Sequence, residues 1–140
     1  MNRETIYAAA FALASGAALF NTKSRRLRHW SEVNVPEMPA LFMTQKTEVA
    51  KTVTGQPTIW TLNVDFYIYA ASEDPNVAPS TILNPLLDAL TVLFVPPVNL
   101  GRQTLGGLVH YCRVNGSIET DEGVLGSQAV AIIPIEILVP

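Results

Sequence analysis

The chain has 140 residues, of which 49% are apolar and only 15% charged, with a net charge of −3. Its charge is segregated: residues 1–51 hold seven Lys or Arg against four acids, and residues 52–140 hold two against eight. That length fits one domain with its own core, the apolar share excludes disorder, and a charged fraction well under the roughly 25% of ordinary soluble domains predicts that a partner covers part of the surface.

The spacing predicts a first helix over Arg3–Leu19, capped by Asn2, with Glu4 in its first turn. Ile6, Ala9, Ala10, Leu13 and Ala17 recur at helical spacing, Tyr7 and Phe11 widen the stripe, and Gly16 frays the end. The apolar run 6–20 has a faint look of an export signal, but Glu4 spoils the basic lead and no Ala-x-Ala site closes it. It is also shorter than the ~20 residues a membrane span needs, so a core helix is expected and no membrane role.

Ser24–Trp30 reads as a short basic strand, and Asn34–Pro39, with two prolines, as a connection. Ala40–Thr47 is extended, with Leu41 and Met43 on one side. Lys46–Gln56 is polar and Thr-rich and ends in Gly55-Gln56-Pro57, which marks a long hairpin arm or a mobile loop. Thr58–Ala71 has period-two alternation: Trp60, Leu62, Val64, Phe66, Ile68 and Ala70 face the core, with Ile59, Thr61, Asn63, Asp65, Tyr67 and Tyr69 on the other side. That second face is suited to solvent or to another subunit.

After a turn over Ser72–Pro79, a second helix is expected over Pro85–Phe94, with Asn84 as cap, Pro85 at the first position, and Ser80–Leu83 as an optional extra turn. Leu86, Leu87, Leu90, Leu93 and Phe94 are its apolar face, and Pro96-Pro97 its stop. Gly101–Gly107 is a loop, Leu108–Ile118 a strand with His110, Cys112, Val114 and Ile118 on one face, and Thr120–Gly123 a turn. Gln128–Val139 is the last strand. Pro134 lacks an amide donor there, which calls for an edge position or a bulge. The order α-β-β-β-α-β-β predicts an α+β fold, with two helices packed on a mainly antiparallel sheet of about four to five strands.

The side chains offer little chemistry. Gly101 and Gly106 have the spacing of a phosphate loop, but Gly107 and Leu108 stand where Lys and Ser or Thr are needed, and a strand follows instead of a helix. His110 and Cys112 supply two metal ligands where zinc needs three or four. Ser127 lies in no Gly-x-Ser-x-Gly elbow, and Glu73-Asp74 and Asp121-Glu122 read as solvated turn acids. The lone Cys112 rules out a disulfide framework within the chain and fits a reducing compartment. No catalytic, metal or cofactor site is expected. The basic cluster Arg25, Arg26 and Arg28, beside Lys23, His29 and Trp30, is a candidate for nucleic acid, for a channel passing DNA unread, or for an inter-subunit contact; a plain solvated strand is the alternative. Lys46, Thr47, Glu48, Lys51, Thr52 and Thr54 form a candidate partner-contacting arm.

One resemblance covers most of the chain. An Ala-rich first helix leads to a basic strand ending in His29-Trp30, and Pro39-Ala40-Leu41-Phe42 opens an extended segment. The alternating strand Trp60–Tyr69 and Asn84-Pro85-Leu86-Leu87-Asp88-Ala89-Leu90 follow, then Gly101-Arg102-Gln103-Thr104-Leu105-Gly106-Gly107 and Ala131-Ile132-Ile133-Pro134-Ile135. In element order and these short patterns the chain resembles the tail-terminator (tail-completion) proteins of long-tailed bacteriophages, from which Pro85 and the Pro96-Pro97 pair depart. The resemblance implies a small subunit of a hexameric ring that caps the tail tube, stops its polymerisation and presents a docking face to the head connector. It implies no enzyme activity and no cofactor. The implied partners are further copies of itself, the tail-tube protein and the head–tail connector, with DNA only in passage; the implied setting is the virion tail, after assembly in the host cytoplasm. A head–tail connector or stopper, or another minor tail protein, is the alternative, and a small-molecule-binding domain a more distant one.

Overall fold

The alternation along the middle of the chain dictates the centre of the fold. In the computed structural model, which describes residues 1–17, 19–94, 102–123 and 126–140, strand β3 (Ile59–Ala71) buries Leu62, Val64, Phe66, Ile68 and Ala70 completely. Strand β6 (Gln128–Val139) alternates in the same way, burying Ala129, Ala131, Ile133, Ile135, Ile137 and Val139. The two pair antiparallel from Trp60↔Val139 to Ala71↔Gln128. Helices α1 (Arg3–Ser15) and α2 (Ser80–Phe94) cover the face so formed. We call it the inner face.

Strands β1 (Thr22–Ser24), β2 (Ala40–Lys51), β4 (Tyr111–Val114) and β5 (Glu119–Glu122) complete the sheet. The order is β1-β2-β3-β6-β4, with β5 also on β6, and every pairing is antiparallel except β1 with β2. The protein is therefore an α+β fold of two helices on a mixed, mostly antiparallel six-stranded sheet.

Helix α1 is capped by the Asn2 side chain, which accepts from the Thr5 amide, and it stops at Gly16 rather than near Leu19. Ile6, Tyr7, Ala10 and Ala14 are its buried residues; Ala9, Leu13 and Ala17 pack at the margin. Tyr7, expected only to widen the stripe, is fully buried, and its hydroxyl donates to Glu48 of β2.

Helix α2 begins at Ser80, so Pro85 lies in its second turn and not at its first position. The proline leaves the Thr81 carbonyl without its helical donor. Thr81 and Pro85 are both exposed, so the break faces water. Leu83, Leu86, Leu90 and Phe94 are buried, and the Phe94 ring stacks obliquely on Phe66 at 5.6 Å. The expected Pro96-Pro97 stop and Gly101 lie outside the described residues.

Three expectations are corrected. The basic strand expected over Ser24–Trp30 is absent beyond Ser24; a three-residue strand, Thr22–Ser24, ends there, since the Ser24 hydroxyl accepts from the Arg26 amide and turns the chain out of the sheet. The strand Leu108–Ile118 shrinks to Tyr111–Val114. His110 and Ile118 are exposed, the latter by 41%, while Cys112 is buried. The expected turn Thr120–Gly123 is instead largely strand β5.

Pro134 accounts for the last two. It lies in a central strand with an unbroken register to β3, neither at an edge nor in a bulge. On its other side β4 ends opposite Ile135 and β5 starts opposite Ile132, so Pro134 faces the seam between them. Its carbonyl accepts from the Asn115 amide at 3.2 Å, and since N and C=O of one strand residue point the same way, its missing donor costs no ladder bond. Gly116, at φ +121°, passes over the ring, where a Cβ would meet Pro134 Cγ at 3.1 Å.

Candidate functional site

Among the described residues, the opposite face of the sheet, the outer face, is only partly covered. Short 3-10 turns at Trp30–Glu32 and Val35–Glu37 cross it near β2, placing Val33 and Met38 against Ala40, Phe42 and Tyr69 in a second, smaller core. A reciprocal box fixes the second turn, with the Glu37 side chain accepting from the Asn34 amide at 2.9 Å. The Asn34 bond, helped by Arg28, holds the Glu37 carboxyl below the usual range. The Tyr69 hydroxyl donates to the Arg28 carbonyl at 2.7 Å, and burial pushes its pKa up to about 12.

Beside this crossing segment lies an open groove of about 640 Å³. Tyr67, Val130 and Ile132 form its floor, Trp30 and His29 one wall, and β5, with Glu119 and Asp121, the other. Its floor exists because the outward-facing residues of β3 and β6 turn aromatic and aliphatic at this end of the sheet. The register puts Glu119 opposite Ile132 and Asp121 opposite Val130, so both acids belong to the outer face. Their carboxylates give an apolar trough a negative rim. Glu122, on the inner side, accepts a hydrogen bond from the Ser80 amide and so caps the N-terminus of α2. It is no free turn acid.

The basic cluster is divided among different partners. Arg25 pairs with Glu4 of α1. Arg28 pairs with Glu37 at 3.1 Å and lies 5.7 Å from the centre of the Phe42 ring. Arg26 is exposed and has no ion-pair partner among the described residues. Two of the three arginines thus neutralise acids of their own chain.

The arm is a hairpin. Strand β2 continues to Lys51, pairing through Lys51↔Ile59, and residues 52–58 form the tip, closed by Gly55 at φ +80° and by a 3.0 Å bond from the Gln56 amide to the Val53 carbonyl. The register slips between Gln45 and Glu48, and this bulge separates the candidate residues. Lys46 falls on the outer face near Asp65, at 3.5 Å. Glu48 turns inward, taking the Arg3 guanidinium at 2.9 Å and the Tyr7 hydroxyl at 2.9 Å, while Arg3 also lies over the Trp60 ring. Lys51, Thr52 and Thr54 remain exposed, as does Thr47. Around them Val49, Val53 and Ile59 are exposed by 55%, 44% and 41%.

Cys112 is buried, and burial alone pushes its thiol up to about 12, which leaves almost no thiolate at neutral pH. Among the described residues no three His, Cys, Asp or Glu side chains are grouped to hold a metal, and no helix is long and apolar enough to cross a membrane. Sequence reasoning missed the groove, because it is assembled from four separate segments. The alternation at Tyr67 and Tyr69 was the available signal. It also missed Gln103, whose side chain donates to the Leu93 carbonyl of α2 while its own carbonyl holds the Cys112 amide of β4. No protein-family model matches the chain, and no curated protein matches it.

Proposed function

We propose that this chain is a structural subunit that associates with copies of itself, and that it serves as a phage tail terminator: a ring, hexameric by the resemblance, that caps the tail tube and presents a face to the head connector. The observation that carries the reading is the outer face of the sheet, where an apolar, aromatic trough stands open to solvent on a chain with few charges to cover it. Surface complementarity is then the whole mechanism. The apolar ends of the outer face are buried between copies, and the finished ring blocks the next layer of tube subunits. Tail-tube protein polymerised with and without the purified chain tests this by electron microscopy of tube lengths. Shortened, capped tubes are expected; a length distribution unchanged at excess chain overturns the assignment.

A further inference from the structure

We infer that the β2–β3 hairpin end of one copy seats in the outer-face groove of a second copy. The inference rests on the reading of the chain as a self-associating subunit and supplies its contact.

The two surfaces match in chemistry. The hairpin end offers three exposed aliphatic side chains, Val49, Val53 and Ile59, with the ammonium of Lys51 beside them. Register puts Val49 opposite Thr61 and Lys51 opposite Ile59, so these residues share the outer face. The groove offers an apolar floor of Tyr67, Val130 and Ile132 and the carboxylates of Glu119 and Asp121 on its rim. Aliphatic groups with a cation meet an apolar trough with anions, which favours this pairing and sets its orientation. Among the described residues neither surface is covered by its own chain, and the two cannot meet within one chain. Ile59 and Tyr67 are eight residues apart on one strand, about 26 Å at 3.3 Å per residue.

Two full-length, singly substituted chains test the contact, Val53→Cys at the tip and Leu27→Cys, on the lining of the groove, mixed under mild oxidation. Both positions are exposed, and buried Cys112 stays silent. Val92→Cys, on the exposed side of α2, is the control partner. A seated tip raises the local thiol concentration, so tip-to-groove disulfides are expected to form about tenfold faster than control-to-groove ones. Lys51→Glu should abolish that advantage, and Asp121→Lys in the other chain should restore it. Equal rates for tip and control overturn the contact. Mass in solution separates the two ideas. Copies that associate without the selective disulfide leave the ring reading standing and the contact refuted. A selective disulfide in pairs that never grow beyond two copies upholds the contact and refutes the ring. A chain that stays single and links without selectivity refutes both.

Discussion

Glu48 shows how one bulged position turns a sequence feature into a structural tie. Its carboxyl is held below the ordinary 4.5, first by the Arg3 hydrogen bond and then by Tyr7, with burial opposing both. The folded state therefore gives up this proton more readily than the unfolded chain. The stabilisation is complete above about pH 4.5 and disappears as pH falls through the folded value. Thermal unfolding followed by circular dichroism between pH 6 and 3 should show a falling midpoint, and Glu48→Gln should make that fall shallower. Tyr7 has the opposite sign. Burial, then Glu48, raises its pKa from 10.0 to about 12, so its contribution is present below pH 10 and lost on the way to 12. Tyr7→Phe should flatten the alkaline limb while costing about 1 kcal/mol at neutral pH. A harsher residue-scale test is Gly116→Ala, which combines an unfavourable φ with the 3.1 Å approach to Pro134. A loss of about 1–3 kcal/mol in denaturant unfolding is expected. None of these ties was legible in advance, because each joins residues far apart in the chain through a bulge or a seam that alternation does not encode.

At the scale of elements, long periodic segments were legible and short ones were not. Strands β3 and β6 bury the faces that their sequences mark as core, since over thirteen and twelve residues one consistently apolar face allows a single orientation. Strand β5 was misread as a turn, because its Glu-Thr-Asp-Glu sequence has no propensity for sheet; pairing with β6 imposes the conformation. The start of α2 was misplaced for a related reason. Pro85 after Asn84 has the form of a helix entry, yet Glu122, forty-two residues away, caps Ser80 and draws the helix back by a turn. Two substitutions follow. Pro85→Ala supplies the amide that Thr81 lacks and should stabilise the fold by about 1–3 kcal/mol, raising the thermal midpoint. Glu122→Ala removes the cap and should cost about 0.5–2 kcal/mol.

At the scale of the molecule, the two faces of the sheet divide the work. The inner face is a closed core, where Ile135→Ala should cost about 2–5 kcal/mol in denaturant unfolding. The outer face is apolar at both ends and polar between, with Lys51 at one end and Glu119 and Asp121 at the other. Association through such ends should weaken with salt, because exposed charges are screened within about 10 Å at 0.1 M and about 3 Å at 1 M. Light scattering at constant protein concentration across that range checks it; insensitivity to salt would assign the contact to apolar burial alone. The division of charge between the two stretches of chain was visible in the sequence. Where it lands was not, since Arg25 and Arg28 spend theirs within the subunit.

The seam at Pro134 has a kinetic consequence. With β4 and β5 bonded to separate lengths of β6, the four-residue β5 can lift off alone, with no neighbour on its far side to resist among the described residues. Hydrogen exchange should therefore find its amides breathing faster than those of β4, and each excursion should also unplug Glu122 from α2. A guest lodged against Glu119 and Asp121 would clamp that flap, so slowed exchange in β5 on assembly would report occupancy from inside the subunit.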